Sequence, residues 1–274
     1  VSALPPIPKD TTDRNRTSPF AFTGNKFEFR MPGSSFNIAC TNFILNTAVA
    51  EELRLFADEL EAADNFDNAL ATLVQRELKA HHQIIFNGNG YSEEWAQEAE
   101  KRGLLNLKTT PDALARYMDD KNVKLFARHG IYTATEVQAR EEILLEEYSK
   151  TLHIEALTML EMVAREIMPA CISYSTKVAN SVAVKSSIGV PADAERKLAK
   201  KLADGMTALS NAQDGLQSAV DGVVTGDVMQ EANYYRDSII PAMNELRAAA
   251  DALETIVDEK EWPFPTYGKM LFYV

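Results

Sequence analysis

The chain has 274 residues, 46% of them hydrophobic, with 40 acidic against 28 basic side chains and a formal charge of −12. That is long and apolar enough to bury a real core, as one large domain or two ordinary ones, while the acid excess excludes nucleic acid and anionic membrane as partner surfaces. No window approaches the roughly 18 uninterrupted apolar residues of a membrane span and no leader pattern opens the chain, which points to the cytoplasm.

Cys40 and Cys171 lie in apolar, helical contexts without CxxC or Cys/His spacing, so both are expected to be buried free thiols. The first residues, "VSALPPIPKD", lack a methionine and read as a proline-stiffened connector, so the expectation is the C-terminal part of something longer.

Residues 1–35 are extended and turn-rich, because Pro5, Pro6, Pro8, Pro19 and Pro32 exclude regular helix. Within them, "NKFEFRM" alternates Lys26, Glu28 and Arg30 with Phe27, Phe29 and Met31, the period-two pattern of a strand with one buried face. From Phe36 to Ala63 apolar residues recur at helical spacing, and a second helix is predicted over 66–85. Ser92 reads as an N-cap followed by Glu93 and Glu94, Gly103 as the closing cap, and "TTPDAL" (109–114) as a further helix start with Pro111 in its first turn.

The second half has long helical patterns. Residues 135–187 make one, with Leu157, Leu160, Ala164 and Ile167 as its stripe and Pro169 as a kink or break. Residues 191–224 follow, through Leu198, Leu202, Met206, Leu209, Leu216 and Val220, and 228–257 repeat the arrangement. Short Gly/Asp and Gly/Pro connections between them predict antiparallel helices packed along their length. After Pro263 and Pro265, Lys269 to Val274 reads as a short strand or an extended docking tail. The predicted class is mainly α, with long antiparallel helices and a short N-terminal β element. The predicted divisions are an extended segment with an active-site strand (1–35), a helical part (36–134), a long-helix arm (135–260) and a docking tail (261–274).

Residues two apart on a strand point the same way, about 7 Å apart. Glu28 can therefore hold a hard cation while Lys26 and Arg30 reach the anionic oxygens around it, an arrangement suited to phosphoryl transfer. Arg14 and Arg16 in "DRNRTSPF" add guanidinium groups just upstream. Taken alone, the same strand reads more readily as a solvated, salt-bridged edge than as an active site. The other candidates read as structure. His81 and His82 are consecutive and cannot form an i, i+4 metal pair, His129 and His153 are isolated, and "NGNG" (87–90) lacks the strand and helix that flank a phosphate loop.

The wording of several segments narrows the choice. "DRNRTSPFAFTGNKFEFRMPGSS" (13–35), "IIFNGNGYSEEWAQEAEKRGLLNLKTTPDAL" (84–114), "SYSTKVANSVAVKSSIG" (173–189) and "WPFPTYGKMLF" (262–272), in this order, closely resemble the type III glutamine synthetases. The resemblance implies an ATP-dependent ligase that joins ammonia to L-glutamate through γ-glutamyl phosphate, with ATP and Mg²⁺ or Mn²⁺ as cofactors. It further implies that Glu28 ligates one divalent metal, that Arg30 contacts glutamate and the transferring phosphate, and that Arg14, Arg16 and Lys26 bind the nucleotide, Arg16 serving the phosphates in catalysis. Where the shorter-subunit class has a second arginine, this chain has "SPFAF", which leaves that contact unassigned. By the same resemblance the enzyme is a cytoplasmic double hexameric ring, its remaining metal ligands lie before Val1, and this chain alone is inactive. The alternative reading is a non-catalytic helical scaffold or regulatory module derived from that family.

Overall fold

The computed structural model describes residues 37–84, 92–224 and 226–271, together with the backbone of residues 20–22 and 27–29. Those two short stretches are strands β1 (Phe20–Phe22) and β2 (Phe27–Phe29), paired antiparallel with Phe20 opposite Phe29 and Ala21 opposite Glu28. All other regular structure among the described residues is helical. The chain divides into two compact units, the first comprising the described residues up to Lys108 with Tyr117–Val137, the second Thr109–Arg116 with Gln138 onward.

In the first unit α1 (Ala39–Glu61) is followed by α2 (Phe66–Ala80), whose start is fixed by Asn65: its side-chain oxygen accepts from the Asn68 amide at 2.9 Å. Arg76 of α2 forks onto both carboxylate oxygens of Glu59 on α1, at 2.9 and 2.8 Å. Helix α3 (Glu93–Lys101) starts at Ser92, whose hydroxyl accepts from the Trp95 amide, and ends at Gly103. There φ is +79°, a left-handed conformation that favours glycine.

Helix α5 (Asp120–Arg128) falls within the helical part predicted over 36–134, although the sequence reading sets no separate start or end for it. It packs on α1 through an aromatic group: Phe126 lies 6.0 Å from Phe43 and 5.8 Å from Tyr132, which meets Phe43 edge-on at 5.4 Å. Cys40, in the first turn of α1, is exposed rather than buried, whereas Cys171 is fully buried.

In the second unit α4 (Thr110–Leu114) is a single turn capped by Thr109. Helix α6 (Ala134–Met162), which begins at the end of the first unit, leads through a π-turn (Val163–Ile167) directly into α7 (Met168–Ser187). Pro169 therefore neither breaks the rod nor ends it. Having no N–H and a bulky ring, it cannot sit in an unmodified α-turn, and the chain widens instead, with the Met168 amide donating to the carbonyl of Val163 five residues back. Helix α8 (Asp193–Asp221) returns, and α9 (Val228–Tyr234), a second π-turn (Tyr235–Ile239) and α10 (Ile240–Glu254) form the third rod.

Helix α8 packs against both α7 and α10. Leu202, Leu209 and Leu216 step by seven along α8 and Ile239, Leu246 and Leu253 step by seven along the third rod, all six without solvent exposure. Each such side chain contributes about 1.5–3 kcal/mol by leaving water. The rods are antiparallel: Gly205 of α8 faces Leu253, while at the other end the Tyr234 hydroxyl donates to the carbonyl of Ala219 at 2.9 Å.

The first rod meets this core through Ala156, Leu160, Val163, Ile167, Cys171 and Val178. The predicted stripe there is partly wrong, because Leu157 and Ala164 are exposed; the burying face runs one residue earlier, through Ala156 and Val163. After α10, Trp262 is buried and contacts Phe264, and Glu261 accepts from Ser173 Oγ at 2.9 Å and from Lys177 Nζ on α7. The last described element is a helix, α11 (Tyr267–Leu271), not a strand or extended tail. Thr266, placed after Pro265, supplies the oxygen and carbonyl that receive the Lys269 and Met270 amides and start a helical turn.

Candidate functional site

Of the residues that the sequence singles out for chemistry, Glu28 has its backbone in the middle of β2, opposite Ala21. Its side chain, together with Arg14, Arg16, Lys26 and Arg30, lies outside the described residues, as does the "NGNG" turn. Among the described residues no cluster of three His, Cys, Asp or Glu side chains has the spacing to hold a metal ion. His81 and His82 are both exposed, and His81 pairs with Glu77 one turn back at 3.2 Å.

Sequence reading missed a tightly held carboxylate among the described residues of the first unit. Glu51, on α1, accepts from Arg54 Nε and Nη2, each at 3.1 Å, from Arg128 Nη1, and pairs at 2.8 Å with His129 Nε2. The Arg54 hydrogen bonds, helped by His129 and Arg128 and opposed by partial burial, hold its carboxyl down to about 2, far below the usual 4.5. A carboxylate with both oxygens occupied by cationic donors and a pKa so low is poorly placed to move a proton near neutral pH or to take a metal. Its chemistry is mechanical: it fixes the C-terminal end of α5 to the middle of α1. No local spacing signals this, because Arg128 and His129 are 77 and 78 residues away in sequence. The nearby Arg54, three residues on along the same helix, is the only trace of it in the sequence.

In the second unit His153 and Tyr235 face each other across the two outer rods, with Nδ1 3.1 Å from the phenolic oxygen and the rings edge to face. Burial is the main cause that pushes the Tyr235 phenol up. With Tyr235 buried, this pair satisfies a polar atom within the core. Both isolated histidines thus have structural partners.

None of these groups is the one that the sequence assigns to chemistry; that assignment rests on Glu28, whose backbone lies at the centre of β2. The description "Glutamine synthetase C-terminal domain" matches residues 69–186, from within α2 to the last turn of α7. The chain is 39% identical over 99% of its length to a type-3 glutamine synthetase of Dictyostelium discoideum, and 38% identical over 96% to a glutamine synthetase of Butyrivibrio fibrisolvens. A glutamine synthetase of Bacteroides fragilis (strain YCH46) is 33% identical over 99% of the chain. The chain belongs to the glutamine synthetase family. It spans 38% of the length of the first two relatives and 39% of the third. As a glutamine synthetase sequence it has its matched domain spread over both compact units, so the family's C-terminal domain includes α6 and α7 of the helical bundle.

Proposed function

We propose that the chain forms the C-terminal part of a glutamate–ammonia ligase, which uses ATP to phosphorylate the side-chain carboxylate of L-glutamate and then replaces the phosphate with ammonia. The observation that carries this reading is the 33–39% identity to three glutamine synthetases over 96–99% of the chain, which takes in the "NKFEFRM" segment. In this reading Glu28 is a metal ligand, Arg30 contacts glutamate and the γ-phosphate, and Arg14, Arg16 and Lys26 bind the nucleotide, with Arg16 on its phosphates.

The donor chemistry fits a hard cation only in part. A carboxylate between two basic residues on a strand is an oxygen ligand of the kind Mg²⁺ or Mn²⁺ prefers, but it supplies one of about six positions. As the family resemblance implies, the proposed enzyme draws its other ligands from elsewhere in the full-length protein, and the chain alone is inactive. When bound, the metal neutralises triphosphate charge. What Glu28 and Arg30 do is fix position: the carboxylate anchors the cation, and the guanidinium two residues on holds the acceptor carboxylate and the transferred phosphoryl in line. The assigned compartment is the cytoplasm, where thiols such as Cys40 and Cys171 stay reduced, and the assigned assembly is a double hexameric ring.

The test uses the full-length protein. Glu28→Ala and Arg30→Ala should each remove most γ-glutamyl transfer, at least about a hundredfold for loss of a transition-state contact, while the assembly elutes unchanged. Near-normal turnover in either intact variant refutes that residue's role, and full turnover in both favours the scaffold reading.

A further inference from the structure

The second π-turn carries a contact that the first does not. Arg236 lies within it and holds its neighbour Asp237 through two parallel hydrogen bonds, Nε to Oδ1 and Nη2 to Oδ2, each 2.7 Å. That fork fixes the guanidinium plane and leaves Nη1 directed at Asp112 Oδ1, 2.8 Å away on α4. Asp112 is set for it from the other side, because its Oδ2 is taken by the Thr109 hydroxyl at 2.6 Å. The phenol of Tyr148 joins the group. Burial chiefly pushes it up, Arg236 draws it down, and Asp237 and Asp112 raise it further.

We infer that the π-turn at Tyr235–Ile239 is a positioning device: Pro241 forces the wide turn, the turn aims Arg236, and Arg236 latches the 109–116 segment onto the helical bundle. Two observations support it. Helix α4 has five residues, too few to persist without tertiary support, so its order depends on what holds it: buried Pro111 and Leu114, and the Arg236 bond. The hydrophobic spacing of the third rod does not itself call for a π-turn, since Ala232, Tyr235, Ile239 and Leu246 follow the steps of three, four and seven of an unbroken α-helix. The imino residue does. Pro241 can neither donate to the carbonyl of residue 237 nor fit its ring against it, and the Ile240 amide donates instead to Tyr235, five residues back. The π-turn before Pro169 gives the internal control, because its arginine, Arg165, pairs with Glu161 of its own helix in the open.

The experiment is hydrogen exchange, read peptide by peptide, on the full-length protein and three variants. Arg236→Ala should speed exchange in residues 110–116 by about two- to fivefold, the range of a partly exposed ion pair, with total helix content unchanged. Pro241→Ala should do the same, because a restored α-turn swings Arg236 away from Asp112, and Pro169→Ala should leave 110–116 at the wild-type rate. Unchanged exchange in Arg236→Ala overturns the latch. Unchanged exchange in Pro241→Ala, or equal acceleration in Pro169→Ala, overturns the assignment of its aim to this turn.

Discussion

Two glycines in one helix test how tightly the bundle is packed. In the interior of α8, replacing glycine by alanine gains about 1 kcal/mol of helix propensity wherever the new methyl has room. At Gly215 it has room, since among the described residues nothing beyond the adjoining backbone of its own helix lies within 4 Å of the added carbon. At Gly205 the same methyl would sit 2.8 Å from Leu253 Cδ2 and 3.2 Å from its Cγ. Carbon contacts are comfortable near 3.5–4.0 Å, and Leu253 is fully enclosed, so its side chain cannot swing clear without displacing other core atoms. Such overpacking costs about 1–3 kcal/mol, which exceeds the propensity gain. Gly215→Ala should therefore stabilise by up to about 1 kcal/mol and Gly205→Ala destabilise by about 1. That separates their melting temperatures by roughly 4–8 °C for a unit of this size. Calorimetry and urea midpoints at constant m-value measure it. Leu253→Ala in the Gly205→Ala background should cost less than in the wild type, the non-additive sign of a shared space. Equal stabilisation by both alanines would refute the close packing of α8 on α10.

The other expectations concern charge and register. Glu51 has a folded-state pKa near 2 against an ordinary 4.5, so the stability it contributes is complete above the ordinary value and is lost as pH falls from about 4.5 toward 2. Glu51→Gln should flatten the pH dependence of the urea midpoint in that window, and an unaltered slope would show that Glu51 is not the group responsible. On the first rod, Leu160→Ala should cost about 2–4 kcal/mol and Leu157→Ala under about 1, because the first is buried and the second 44% exposed. Similar costs at the two positions in a thermal melt would restore the sequence-derived stripe, which includes both.

The helices were legible because their signals are local. Ser92, Thr109 and Gly103 act as caps in the structure as their residue types predict, and the seven-residue steps of Leu202, Leu209 and Leu216 are visible to the eye. Illegible features depend on distant partners or on a choice between two local solutions. The Glu51 cluster joins residues some 77 positions apart. Proline within a helical pattern is equally the sign of a break, a kink or a wide turn, and only the packing on both sides of Pro169 and Pro241 selects the last. The helical spacing of the first rod admits Leu157 to its stripe, yet the packed face buries the neighbouring Ala156 instead. Of the candidate site, the period-two pattern of residues 26–31 announced a strand, and β2 occupies its centre. The side chains that would carry chemistry lie outside the described residues.

The strand and the bundle place different demands on the sequence. Strands β1 and β2 have three residues each, and a two-stranded pair of that length is marginal in water. A catalytic geometry that must hold to within about half an ångström cannot come from such a pair alone. On the proposed function it has to be imposed by elements that pack over the pair. The bundle is the converse case. Its seven-residue steps and enclosed leucines are a complete local solution, and several of its exposed charge pairs, such as Lys150–Glu146 and Arg247–Asp251, lie along single helices. Substitutions in the bundle should therefore register first as stability and, on the proposed function, substitutions at Glu28 or Arg30 first as chemistry.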